Sequence, residues 1–302
     1  MTEQWRSPDL VDCVHRWIDE RLGELGIERT GDIEQPHVEE WSTVMRVPTA
    51  DGTVWFKANH EPLRHEAALT ALVAARAPDR VPSMMAFDPG TGWMLMRDAG
   101  RRLREVVAEE RSLARWHDVL DAYARVQLAC EDDVDALLAL GVPDRRLAAL
   151  PDAYAALLAE LGGPDEGWPT SDRVAELCRE LTTYGIRETI QHDDLHDGQV
   201  FLGEGTHLLL DWGDSCVSHP FFSLSVTLEG VVAWGLDDVA GSEELGPYVE
   251  SYLRPYRQRY DGDLVAAAAL AMRLGWVCRA VNGHLPSDPA MTRTRLRMYP
   301  AS

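Results

Sequence analysis

The segment from Gln191 to Asp214, QHDDLHDGQVFLGEGTHLLLDWGD, constrains this chain more than any other. His192, Asp194, His196 and Gln199 fall in a run with no helical or strand period, followed by two short apolar stretches, Val200 to Leu202 and His207 to Leu210, around Gly203-Glu204-Gly205. Apolar pairs flanking a glycine-rich turn predict a β-hairpin. A hairpin returns the chain beside its start, so Asp211 and Asp214 are expected next to the loop that carries Asp194 and Gln199. Converging carboxylates plus a side-chain amide suit a hard divalent cation such as Mg²⁺, which takes oxygen ligands and leaves positions for phosphate oxygens. A further carboxylate can then orient a hydroxyl nucleophile, the layout that phosphoryl transfer uses.

Two other readings compete. An isolated HDDLH is as readily a hydrogen-bonded structural network as a site; the DWGD that follows at hairpin distance favours the site. His192 and His196 stand four apart, as zinc ligands do on a helix. That motif needs a helix with Glu directly after the first His, and Asp193-Asp194 with Gly198 oppose a helix here.

The two motifs, HDDLHDGQ at 192–199 and DWGD at 211–214, resemble those of the aminoglycoside phosphotransferase family, small-molecule kinases with a protein-kinase-like fold. Their loop is typically HGDLHxGN, followed by a DWG or DWE segment. The resemblance implies that Asp194 is the catalytic carboxylate and Asp211 the principal metal ligand, with Gln199 at the place of the family's metal-binding Asn. His192 would brace the loop, and Asp214 would assist with a metal-bound water. The chain departs from the pattern at Gln199, one methylene longer than Asn, and at Asp193, where the family often has Gly. At Ser223 an acidic residue that normally braces the metal loop is missing.

Upstream, Leu10, Val14, Trp17, Ile18, Leu22 and Leu25 recur at helical steps behind Ser7-Pro8, which predicts an amphipathic helix over Ser7 to Leu25. His37 to Val47 and Thr53 to Ala58 read as strands around the turn residues Pro48, Asp51 and Gly52, and Val81 to Asp88 and Trp93 to Met96 as two more. Lys57 lies inside the apolar run TVWFKA, and nine residues on Glu66 sits in a helical stretch beginning at Pro62. A charge in a strand interior usually has a partner. The resemblance gives Lys57 the nucleotide phosphates and Glu66 the role of its helix partner. A GxGxxG loop is absent; the corresponding hairpin runs through residues 39–43, where Ser42 and Thr43 can offer hydroxyl or backbone N–H groups to a phosphate. The resemblance also puts a hinge at residues 97–100, with Met96 and Asp98 near the adenine edge.

After Gly100 the composition turns to Ala, Leu, Arg and Glu with helical periodicity. Helices are expected around Leu113 to Gln127, Tyr154 to Leu161, Val174 to Tyr184, Glu243 to Arg259 and Leu264 to Val281, with a loop from Gly162 to Pro169. The stretch after Asp214 begins with a proline turn and becomes apolar and helical. Asp237, Asp238, Glu243 and Glu244 form an acidic group that can receive ammonium groups or simply start a solvated helix.

A length of 302 residues, 45% hydrophobic, is enough for one large domain or two lobes. The expected fold is α+β and bilobal, protein-kinase-like, with a small antiparallel N-terminal lobe over residues 1–98 and a larger, mainly helical lobe over 99–302. The formal net charge of −21 disfavours nucleic acid and anionic membrane surfaces and accommodates a cationic substrate. The five cysteines are scattered without a C-x-x-C pair, and neither a signal peptide nor an uninterrupted apolar run of about twenty residues is visible. A cytoplasmic location is therefore the expectation. The sequence reads as an ATP- or GTP-dependent, Mg²⁺-requiring kinase that phosphorylates a hydroxyl of a small, cationic molecule. A kinase-like binding module without turnover is the alternative, and the sequence leaves the oligomeric state open.

Overall fold

The computed structural model describes residues 3–203, 205–232 and 243–299. The chain separates into two compact units, residues 1–100 with 203–213, and residues 101–202 with 214–302. The division falls two residues beyond the expected edge at 98, and residues 203–213 go with the first unit rather than with the helical remainder.

In the first unit the amphipathic helix forms as α1 (Pro8–Glu24), with Pro8 in its first turn, where a missing N–H costs nothing. The stretch His37 to Val47 divides at the expected hairpin into two strands, β1 (Glu34–Val38) and β2 (Ser42–Thr49), with Glu39-Glu40-Trp41 in the turn. They join β3 (Gly52–Asn59), β4 (Met84–Asp88) and β5 (Trp93–Arg97) in an antiparallel sheet of order β1-β2-β3-β5-β4. Helix α2 (Glu66–Arg76) follows β3.

Alternation along β3 decides what each face carries. Val54, Phe56 and Ala58 point to one side, into a core with Val14, Ile18 and Leu22 of α1 and with Met45, Val47 and Leu95. The rings of Trp17, Phe56 and Trp93 meet edge to face there, with centroids 5.8 Å apart. Lys57 and Asn59 therefore fall on the opposite face. A second cluster, Ala67 of α2 with Met94 and Met96, packs on that side.

The second unit opens with β6 (Arg101–Arg102) and α3 (Leu103–Glu110) and continues through α4 (Arg115–Ala129), α5 (Val134–Ala139), α6 (Leu150–Glu160) and α7 (Ser171–Thr182). Three of these match the periodic stretches, and residues 162–169 form the expected loop. Then come β7 (Thr189–Gln191) and β8 (Val200–Gly203), whose residues Phe201 and Leu202 pair with β6. Strand β9 (Thr206–Leu209) lies in the first unit, where the Thr206 hydroxyl donates to the Asp79 carbonyl at 2.9 Å.

Beyond Asp214 the chain forms a strand that the periodicity did not reveal, β10 (Cys216–Ser218), antiparallel to β7. A π-helical segment (Ser225–Val232), α8 (Gly246–Tyr256), α9 (Leu264–Asn282) and α10 (Pro289–Arg297) complete the unit. By length and composition α9 could cross a membrane, yet 61% of its apolar window is buried inside the protein, so it reads as a core helix. Of the acidic group, Asp237 and Asp238 lie outside the described residues, while Glu243 and Glu244 precede α8.

Candidate active site

Polar chemistry collects at one place in each unit. In the first unit the register sets Ser42 opposite Asn59, and Val44 and Met94 opposite Lys57. The face shared by Lys57 and Asn59 looks toward the start of α2. The Lys57 ammonium donates to Glu66 Oε1 at 2.8 Å and to Asp211 Oδ1 at 2.6 Å, while the Asn59 amide donates to Glu66 Oε2. Burial alone pulls the Lys57 pKa down. The charges of Asp211 and Glu66 outweigh it and hold the ammonium above its ordinary value, so Lys57 is a permanent cation. Burial pushes Glu66 the other way, upward, against the pull of Lys57.

Asp211 adopts φ +64°, a left-handed conformation uncommon for a residue with a side chain, and its carboxylate is 45% exposed. Neither Asn59 nor the constraint on Gly213 was singled out from the sequence. A β-carbon on Gly213 would lie 3.2 Å from Glu66 Oε2, a carboxylate already held from two sides. The glycine of DWG thus lets this turn approach the Lys57 pair closely.

Ser42 and Thr43, offered together by the sequence, point their side chains to different faces of the sheet. Adjacent strand residues point to opposite faces. Ser42 shares the Lys57 face, whereas Thr43, opposite Ala58, points to the apolar side. There its hydroxyl accepts from the Gln35 amide at 2.9 Å and donates to the His37 carbonyl at 3.1 Å. The Thr43 hydroxyl is committed to the sheet. Met96 is 7% exposed on the Lys57 face, beside Ala67 and Met94. Asp98 accepts from the Trp55 indole and from the Gly100 N–H, both at 2.7 Å, which fixes the turn between β5 and β6.

In the second unit the β7–β10 ladder pairs Gln191 with Cys216 and so holds both ends of the acidic segment. The loop from His192 to Gln199 contains bends and turns but no helix. Three contacts brace it from behind. The His192 N–H donates to the Tyr123 hydroxyl at 2.8 Å, that hydroxyl meets Ser223 Oγ at 2.7 Å, and the Thr227 hydroxyl donates to the Leu195 carbonyl at 3.0 Å. Ser223, where an acidic brace was missed, therefore supports the loop through a tyrosine. The Gly198 N–H donates to His196 Nδ1 at 3.0 Å, and a β-carbon on Gly198 would come within 2.7 Å of that ring. The Gln199 N–H donates to the His196 carbonyl at 2.9 Å, which closes the turn and leaves Gln199 half-buried.

The sequence reading missed what this loop faces. Arg279 of α9, 5% exposed, donates to Asp194 Oδ1 at 2.7 Å and to Asp214 Oδ2 at 2.9 Å, with Asp193 Oδ2 at 3.5 Å. Asn282, one turn on, donates to Asp193 Oδ2 at 2.9 Å and to the Asp214 carbonyl at 2.7 Å. Burial pushes the Asp193 carboxyl up to about 6 against the pull of Arg279. Burial pulls Arg279 down, but Asp214, Asp193 and Asp194 together raise it above its ordinary value. Asp193 also forms, with Cys216 and Cys278, a group spaced for a metal ion. Its oxygens already accept from Gln191, Asn282 and Arg279, so the group reads as a hydrogen-bonded core.

For a divalent cation, the half-exposed Asp211 carboxylate is the hard oxygen donor that fits best among the residues named.

A model of the phosphotransferase enzyme family matches residues 37–263. Among solved structures, a choline/ethanolamine kinase family protein from Mesorhizobium loti is 17% identical, with a TM-score of 0.58, 89% of this chain covered and 85% of that one. A macrolide 2'-phosphotransferase from Brachybacterium faecium is 14% identical with a TM-score of 0.57, covering 94% and 97%. Aminoglycoside 2'-phosphotransferase-IIIa in its GDP complex is 14% identical with a TM-score of 0.58, covering 94% and 96%. These likenesses show the fold. No curated protein matches by sequence.

Proposed function

The chain belongs to the phosphotransferase enzyme family, whose members are small-molecule kinases, and from that premise we propose that it moves the γ-phosphoryl group of ATP or GTP onto a hydroxyl of a small, cationic molecule such as an aminoglycoside or related amino sugar. The observation that carries this reading is the buried Lys57, paired with Glu66 and turned onto Asp211. A fixed cation of that kind offsets phosphate charge as it shifts in the transition state. The net charge of −21 favours a cationic acceptor. The free state of all five cysteines fits a reducing, cytoplasmic setting.

In this mechanism Lys57 contacts the phosphates and Glu66 with Asn59 holds the ammonium in place. Asp211, with Gln199, would hold Mg²⁺, which when bound neutralises phosphate charge and fixes the phosphate oxygens. Ser42 offers a donor on the Lys57 face, and the backbone near Met96 and Asp98 meets the adenine edge. Asp194 accepts a hydrogen bond from the acceptor hydroxyl. The hydroxyl oxygen bonds to the γ-phosphorus as the bond to the β,γ-bridging oxygen breaks. The hydroxyl proton passes to Asp194 and on to solvent, and the nucleoside diphosphate leaves.

Gln199 in place of Asn favours a second reading, a nucleotide-binding module without turnover. Purified protein with Mg²⁺ and ATP or GTP, offered aminoglycosides, macrolides, choline, ethanolamine and water as acceptors, separates the two. Phosphate transfer that Asp194→Asn lowers by about 10²–10⁴-fold supports the kinase. Nucleotide binding with no transfer to any acceptor supports the module.

A further inference from the structure

We propose that Arg279 is a positioning residue for the phosphotransfer described above, that Asp193 is its buried anchor, and that together they leave Asp194 Oδ2 as the oxygen that meets the acceptor hydroxyl. The proposal rests on Asp194 being the catalytic carboxylate.

Arg279 enters the loop from a helix that is otherwise largely apolar, so its charge is desolvated and has to be matched nearby. It is matched by Asp193, Asp194 and Asp214. One guanidinium nitrogen takes Asp194 Oδ1 and the other takes Asp214 Oδ2. The planar fork thereby sets the direction of the Asp194 carboxylate, which a single ammonium cannot do. With Oδ1 engaged, Oδ2 is the remaining oxygen, and it lies 3.7 Å from His196 Nε2. His196 Nδ1 accepts from the Gly198 N–H, so the neutral ring carries its proton on Nε2 and turns it toward Asp194.

The backbone gives an independent argument. Asp193 sits at φ +64°, a left-handed conformation that strains an L-residue and that glycine adopts freely. The chain tolerates this strain at Asp193, directly before the catalytic carboxylate. Each Asp193 oxygen is used: Oδ1 accepts from the Gln191 amide at 2.8 Å, and Oδ2 accepts from Asn282 and faces Arg279. A side chain that is strained, wholly buried and fully engaged beside the catalytic carboxylate is there to hold Arg279.

The test compares Arg279→Lys, Asp193→Gly and Asp194→Asn with the parent protein. MgATP and MgGTP serve as donors, with the fastest acceptor of the panel above, or water where none is faster. The proposal predicts that kcat falls about 10²-fold in Arg279→Lys, because misplacing a reacting group by about 1 Å costs that much, and by about tenfold in Asp193→Gly. KM for the nucleotide stays within about twofold in both, since neither residue belongs to the phosphate-binding unit. Asp193→Gly melts below the parent, because the lost contacts to Gln191, Asn282 and Arg279 outweigh the relieved backbone strain, so kcat is compared at a temperature where both are folded. A parent-like kcat in both variants, with Asp194→Asn inactive, overturns the positioning role. A parent-like kcat in Asp194→Asn overturns Asp194 as the catalytic carboxylate and with it the premise of the positioning role, while an absence of transfer by the parent protein overturns the kinase reading itself. Should Arg279→Lys fail to fold, Asp193→Gly decides alone.

Discussion

Lys57 holds two carboxylates with one charge, which leaves its cluster with a net negative charge and room for a further cation. Removing it strands Glu66, which is fully buried. Lys57→Met is expected to lower unfolding free energy by about 3–5 kcal/mol, the usual cost of breaking a buried pair from one side. The double variant Lys57→Met/Glu66→Gln should recover most of that loss in denaturant unfolding. Equal stability of the single and double variants would mean that Glu66 does not depend on Lys57. The pair was legible because a charge inside an apolar strand needs a partner, and the next helix offered one. The same rule applied to Arg279 but could not select it: α9 also carries Arg273, which is less buried, and composition does not say which arginine faces the core. Asn59 was legible in principle, two residues after Lys57 on the same strand face. Strand alternation, which turns the Thr43 side chain away from Ser42, was legible in the sequence and was not applied to this pair.

Among the elements, β7 and β10 do most to fix the candidate site; β7 was not read from the sequence, and neither was β10. Its three residues are all buried, so no apolar–polar alternation marks them. The turn that follows depends on His219, which is wholly buried. His219 Nδ1 accepts from the Phe221 N–H at 3.3 Å, and burial pulls its pKa down to about 3. The unfolded chain binds this proton near pH 6.5 and the folded chain only near 3. The contribution of His219 is therefore complete above pH 6.5 and lost progressively as the pH falls toward 3. His219→Asn keeps an acceptor for the Phe221 N–H, so its melting temperature should fall less than the parent's between pH 6.5 and 4.5; parallel curves would contradict the assignment. On α4, Tyr123→Phe removes the acceptor for the His192 N–H and the partner of Ser223. It should cost about 1–3 kcal/mol, read by denaturant unfolding. The main helices were readable from their period, and the π-helical segment was not, since its period differs from the one sought.

At the scale of the molecule, the excess of acidic residues acts at a distance. For a polycationic acceptor, kcat/KM should fall as ionic strength rises from about 0.01 M to about 0.15 M, while the Debye length shrinks from about 30 Å to about 8 Å. A constant kcat/KM would show that the charge serves solubility alone. The two-unit architecture was legible because strand-period segments precede Gly100 and helix-period segments follow it. The return of residues 203–213 to the first unit was not, since tertiary packing decides it. The acceptor itself is a property of side chains on a fold shared by kinases of choline, macrolides and aminoglycosides. The proposed phosphotransfer needs both Asp211 and Asp194. Its most direct test is the single-turnover rate of γ-phosphoryl transfer in Asp211→Asn, Asp194→Asn and the double variant, at saturating Mg²⁺ and nucleotide. Groups that act on the same transition state are strongly non-additive, so the double variant should be no slower than the slower single one. Losses that multiply, or an Asp211→Asn rate equal to the parent's, would contradict it.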